Sequence, residues 1–150
     1  MPQPNVLILR APGTNCDQET AFAFQKAGGK TEVLHINRLL EDPSLTERFQ
    51  ILCVPGGFSY GDDIAAGRVL GYEVRHHLAE PFAAFVGRGG YVLGVCTGCL
   101  VLGVTGLLEP PVPAGRRRRV ALAPNPSARV EGRGGSLRAE PSRGAGLGAG

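Results

Sequence analysis

Tyr91–Gly103 reads YVLGVCTGCLVLG. An apolar run enters a cysteine, and Gly94 and Gly98 stand two residues to either side of Cys96. Read as structure, Tyr91–Val95 is a buried strand and Thr97–Val104 begins a helix, with the cysteine on the turn between them. The spacing G-x-C-x-G is the thiol form of a nucleophile elbow. A sharp strand-to-helix turn strains the backbone at its apex, and side chains two residues away would collide with neighbouring backbone. Such a turn lifts a sulfur above the carboxyl ends of the strands. It also sets the sulfur at a helix N-terminus, whose positive end favours thiolate. The Thr97 N–H is then free to face a developing oxyanion. A buried structural cysteine beside packing glycines fits the five residues equally well.

Outward from the elbow, strands and helices alternate. Asn5–Arg10 (NVLILR) is a short apolar run, as expected of a buried parallel strand. Ala11–Cys16 (APGTNC) is a turn, and Asp17–Ala27 reads as a helix with acids in its first turn and Gly28-Gly29 as its stop. Thr31–Ile36 and Gln50–Val54 are two further strands. A helix is expected over much of Ile64–Val86, with Pro81 as a break or restart. These elements predict an α/β fold, an open, mostly parallel sheet with helices on both faces.

A second loop ends the Gln50–Val54 strand: Pro55–Asp63, PGGFSYGDD. Paired glycines let backbone N–H groups approach a ligand with no Cβ in the way. The Gly57 N–H is therefore expected to complete an oxyanion hole with Thr97, while Gly56, Phe58 and Ser59 form a substrate loop. A plain tight turn is the bland alternative. The spacing matches neither a dinucleotide fingerprint nor a P-loop.

The chain has 150 residues and a net charge of +3. That total conceals two halves. Residues 1–110 carry eight Lys+Arg and eleven Asp+Glu; residues 111–150 carry eight Arg and two Glu. The second segment also holds eight Gly and five Pro and none of the nine aromatics. It offers little apolar surface against its ordering entropy, so 111–150 is expected to be a disordered tail. Its RRRR run, Arg116–Arg119, reads as a solvated charge run, and no nucleic-acid partner is expected. No signal peptide and no membrane-length apolar run is seen. Four cysteines in such a chain read as reduced thiols in the cytoplasm. Cys53 is expected in the core and Cys16 as a loop packing residue.

The stretches APGTNCDQET, VPGGFSYGDDIAAGR and LGVCTGCLVLGVTGLL together resemble the glutamine amidotransferase subunit of phosphoribosylformylglycinamidine synthase, a class I, triad-type amidotransferase of purine biosynthesis. The resemblance covers roughly residues 4–109, and PGGFSYGD is its most specific block. It implies a flavodoxin-like fold, incomplete here at the C-terminus. It implies that Cys96 attacks the side-chain amide of glutamine, that Gly57 and Thr97 supply the oxyanion hole, and that a glutamyl thioester forms and releases ammonia. The ammonia would pass to a separate synthetase subunit that uses ATP and Mg; no cofactor is implied for this chain.

Three departures accompany the resemblance. Asn-Gly-Phe usually follows the nucleophile, where this chain has Thr97-Gly98-Cys99. An aromatic-sized void at Cys99, if packed, would be worth about 3–5 kcal/mol. The family's H-x-E motif, which supplies the base, is absent; the three histidines are His35, His76 and His77, and each is expected to be structural or solvated. Finally, the tail begins where the family continues into its next strand. Its Arg, Gly, Pro and Ala bias is what a GC-rich gene yields out of frame, so a frameshifted extension on an N-terminal piece is one expectation and a natural basic extension is the alternative. Two other functions stay open: a non-catalytic fragment or assembly subunit, and a thiol redox protein using Cys96-Thr97-Gly98-Cys99 as a C-x-x-C pair.

Overall fold

The computed structural model describes residues 3–62, 65–108, 123–132 and 134–136. The expectations for the remaining parts of the tail, Arg116–Arg119 included, lie outside these residues.

Four strands, β1 (Asn5–Arg10), β2 (Lys30–His35), β3 (Ile51–Val54) and β4 (Tyr91–Gly94), form one sheet in the order β2-β1-β3-β4. All three pairings are parallel. Parallel neighbours need crossovers, which the helices provide: α1 (Asp17–Lys26), α2 (Ile36–Glu41), α3 (Arg68–His77) and α4 (Ala79–Gly87), with α5 (Thr97–Thr105) following β4. The two central strands are the ones whose sequences run apolar without alternation. Val6, Leu7, Ile8, Leu9, Leu52, Cys53 and Val54 are all at most 1% exposed.

Alternate side chains of β1 and β3 enter different layers. Leu7, Leu9, Leu52 and Val54 join the larger core with Leu70 and Val74 of α3, Phe82 and Phe85 of α4 and Val101 and Leu102 of α5. Val6, Ile8 and Cys53 face Ala21 and Phe24 of α1 on the other side. Helices thus lie on both faces, though unequally. On the α1 side, Tyr91, Leu93 and Val95 stay 47%, 43% and 43% exposed, because no described helix reaches across β4.

Several element ends shift by one residue from expectation, and two differences change the reading. Ile36 does not end β2 but opens α2, where the His35 side chain caps the helix by accepting the Asn37 N–H at 3.2 Å. The helix expected over Ile64–Val86 divides at Leu78, and Pro81 sits in the first turn of α4, where a missing N–H breaks no bond. A 3-10 segment, Pro43–Arg48, was not anticipated; Asp42 opens it by accepting the Ser44 N–H at 3.1 Å. Among the described residues, no helix is long and apolar enough to cross a membrane.

Candidate active site

The strand order reverses direction between β1 and β3, and in open α/β sheets the crevice beyond the carboxyl ends of such strands binds ligands. Three loops meet there. They follow β1 (Ala11–Cys16), β3 (Pro55–Asp62) and β4 (Val95–Cys96).

Cys96 occupies the cap position of α5 with φ 52° and ψ −118°. A side chain at positive φ is strained, and the surroundings hold it there. The Val95 N–H extends the β3–β4 ladder onto the Val54 carbonyl at 3.0 Å, and the Gly98 N–H turns back to the Val95 carbonyl at 2.8 Å. The flanking glycines have the steric role that their spacing suggested. A Cβ on Gly94 would lie 2.7 Å from the Gly98 carbonyl carbon. One on Gly98 would run into the Val54 carbonyl oxygen and lie 2.7 Å from the carbon. The elbow is pressed against the end of β3, and only glycine leaves room.

That contact brings the second loop to the thiol. A Cβ built on Gly56 would be 3.1 Å from Cys96 Cβ and 3.8 Å from its Sγ, so the sulfur sits over the PGG loop. Gly57 adopts φ +116°, and its Cα packs on Asn15, whose backbone nitrogen is 2.7 Å from where a Cβ would stand. Among the described residues, neither the Gly57 nor the Thr97 N–H has a hydrogen-bond acceptor. Thr97 stands at the first position of α5, where the N–H groups of a helix have no intrahelical acceptor. Phe58 is 63% exposed, open to solvent beside the loop. Ser59 is turned inward at 5% exposure, with an Oγ that finds no hydrogen-bond partner. Tyr60 follows at φ 53°, and its N–H donates to the Pro12 carbonyl at 2.6 Å. Burial, and then the Glu73 carboxylate, pushes its phenol pKa upward.

The loop after β1, whose sequence marks no more than a turn, also belongs to this end of the sheet. Thr14, 9% exposed, braces it: its Oγ1 accepts the Ala11 N–H at 3.1 Å and its own N–H donates to the Ala11 carbonyl at 3.0 Å. Asn15 then buttresses Gly57. The available signal was the position of APGTNC, a polar turn directly after the central strand of a parallel sheet. Cys16, half-buried, opens α1 through its carbonyl, which accepts the Thr20 hydroxyl at 2.6 Å. Cys99 is exposed, so its small side chain leaves no packed void in the described residues.

None of the three histidines meets Cys96. His35 ends β2, three strand spacings from the end of β4, roughly 14 Å across the sheet. It lines a separate cleft of about 400 Å³ with Arg10, Gly13, Thr14 and Gln18. His76 and His77 end α3. That helix runs alongside α5 in the same direction: Gly67 faces the Thr97 carbonyl and Gly71 faces Val104. Ten residues of helix therefore carry both histidines about 15 Å away from the elbow. His76 lies against Tyr72, and His77 Nε2 is 3.9 Å from a Glu73 carboxylate oxygen. Among the described residues no group of His, Cys, Asp and Glu is arranged to hold a metal ion.

Comparison with known proteins follows the same lines. Residues 3–145 match a CobB/CobQ-like glutamine amidotransferase domain, so the match runs beyond residue 110 into the Arg-, Gly- and Pro-rich segment. The chain is similar to the PurQ subunit of phosphoribosylformylglycinamidine synthase from Dehalococcoides mccartyi, 49% identical over 131 residues, which is 87% of this chain and 51% of that protein. The PurQ subunit from Methanococcus maripaludis is 38% identical over 128 residues, 85% of this chain and 47% of that protein. Among solved structures, PurLQS from Thermotoga maritima is similar with a TM-score of 0.60 and 29% identity, over 71% of this chain and 46% of that chain. The chain spans about half the length of the curated relatives it matches.

Proposed function

This chain belongs to the CobB/CobQ-like glutamine amidotransferase family, and from that premise we propose that it carries the nucleophile half of the glutaminase site of phosphoribosylformylglycinamidine synthase. The observation that supports this reading most is Cys96 at φ 52°, its Sγ over Gly56, beside a loop and a helix start whose Gly57 and Thr97 N–H groups have no acceptor among the described residues. In the proposed reaction the Cys96 thiolate adds to the side-chain amide carbon of glutamine. The two N–H groups hold the oxyanion; removing one such donor typically lowers kcat by about 10²–10³-fold. Ammonia leaves on collapse to the glutamyl thioester, and water then releases glutamate. On this reading the ammonia passes in the cytoplasm to a synthetase subunit. ATP and Mg belong to that partner, and this chain needs no cofactor of its own.

Both proton transfers, from the thiol and to the departing ammonia, need an acid–base group within hydrogen-bond reach. The positions of His35, His76 and His77 favour a second reading, in which this chain docks to the synthetase as an assembly subunit without turnover of its own.

A glutamine-derived diazoketone tests the first reading. We expect a covalent adduct on Cys96, slowed by excess L-glutamine and absent from Cys96→Ala. Cys96 that alkylates with iodoacetamide yet ignores the diazoketone would overturn glutamine recognition. Co-purification with the synthetase subunit, with no adduct, would leave the docking reading alone.

A further inference from the structure

Cys96 and Cys99 are the two exposed thiols of the chain, whereas Cys53 is fully buried and Cys16 half-buried. They are held close by backbone, not by chance of side-chain packing. The Cys99 N–H donates to the Cys96 carbonyl at 2.9 Å. A turn closed by that i→i+3 bond keeps its end Cα atoms within about 7 Å, overlapping the roughly 4.4–6.8 Å found across disulfides. Direction agrees with distance. Cys99 is the third residue of α5, and helical side chains lean toward the N-terminus, where Cys96 sits as the cap. Cys53 is no competitor: burial pushes its thiol pKa up to about 12.

We infer that Cys96 and Cys99 form an oxidative modification site, closing a reversible intrachain disulfide over the elbow. With hydrogen peroxide as oxidant, the Cys96 thiolate attacks one peroxide oxygen and becomes a sulfenic acid, releasing hydroxide. The Cys99 sulfur then attacks the Cys96 sulfur, the S–O bond breaks, and the Cys99 proton leaves with the oxygen as water. The two sulfurs lose two electrons and the peroxide gains them; the hydroxide takes up the proton that Cys96 released on ionising, so two waters result. Cys99 thereby acts as a resolving thiol that intercepts the sulfenic acid before further oxidation. The chemistry stands without the proposed glutaminase reading; only its consequence, a masked nucleophile, rests on that reading.

The test is peroxide treatment of the full chain followed by intact mass and peptide mapping. The expected product has lost two hydrogen atoms, joins the Cys96 and Cys99 peptide positions, no longer alkylates at Cys96, and returns fully with dithiothreitol. Cys99→Ser, a conservative change at an exposed site, is expected instead to accumulate Cys96 sulfinic acid that dithiothreitol does not reverse. A wild-type chain that keeps both thiols, forms sulfinic acid as readily as Cys99→Ser, or pairs Cys96 with Cys16 overturns the inference. Diazoketone labelling of the untreated chain is read separately. If labelling fails while the disulfide forms, the glutaminase reading falls and the modification site stands.

Discussion

Gly98→Ala sets two physical expectations against each other. Helix propensity alone favours the change, since alanine gains about 0.8–1 kcal/mol over glycine inside a helix. The structure predicts the opposite sign. The new Cβ would overlap the Val54 carbonyl oxygen, with the carbonyl carbon at 2.7 Å and the Pro55 oxygen at 3.0 Å. These are backbone atoms at the end of β3, and Val54 is already bonded to the Val95 N–H, so none can swing aside like a side chain. Overpacking of this kind typically costs about 1–3 kcal/mol, more than the propensity gain. From the middle of that range, about 2 kcal/mol, the propensity gain of about 1 leaves a net loss of about 1 kcal/mol, a fall of about 0.8 M in the urea midpoint at an m of about 1.3 kcal/mol/M. Gly87→Ala is the matched control: it also lies in a helix, and its Cβ would meet nothing within 4 Å. That variant is expected to gain up to about 1 kcal/mol. Urea unfolding followed by far-ultraviolet circular dichroism decides. If Gly98→Ala is as stable as the parent, the close seating of α5 on β3 is wrong, and the reasoning about the elbow fails with it.

Other expectations concern groups farther from the elbow. The Cys53 thiol is raised from its ordinary 9.0 to about 12. Below pH 9 it is protonated in both folded and unfolded chains, so its stabilisation is fully present there. As pH climbs from 9 toward 12 only the unfolded thiol ionises, and stability drops by up to about 1.4 kcal/mol per pH unit. Cys53→Ala should lack that increment when the two unfolding curves are compared across the window; parallel curves would contradict it. Thr14→Val leaves the buried Ala11 N–H without its acceptor, a loss of about 1–3 kcal/mol in urea unfolding, and a change under half of one would show that the bracket is not holding the loop. Purified chain should release negligible glutamate from glutamine. Robust release that disappears in Cys96→Ala would mean that a base reaches the elbow by a route this fold does not show.

Much of this was readable in the sequence because parallel sheets write their central strands as unbroken apolar runs. NVLILR and QILCV needed no tertiary information, and glycine and proline marked where each ended. The elbow was readable for a related reason: its glycines answer a local steric demand. The segment after β2 was harder. Ile36 is apolar and follows an apolar run, so strand pattern claimed it, although its burial under α2 comes from the far core. Asp42-Pro43 was a usable start signal for the following segment, with a capping acid ahead of proline. Asn15 was beyond reach, since its contact with Gly57 exists only after β1 and β3 become neighbours. The failure of the histidines to reach Cys96 belongs to the same class, being a property of strand order and helix direction.

The parallel register of β3 and β4 pairs Ile51 with Tyr91 through Val54 with Gly94. It works as a ruler for the two halves of the site. Cys96 meets Gly56 because each stands two residues past the last matched pair, and neither loop has slack. Chain length therefore has very different tolerances in neighbouring places. Residues added on the outer turns between α3 and β4 would be absorbed by the crossover. One residue inserted in Tyr91–Val95 would move the sulfur by a full strand rise or turn the β4 side chains on one side of it to the opposite face. Insertions and deletions accumulated in relatives should accordingly crowd into the crossover and stay out of those five positions, a pattern that sequence drift alone would not produce.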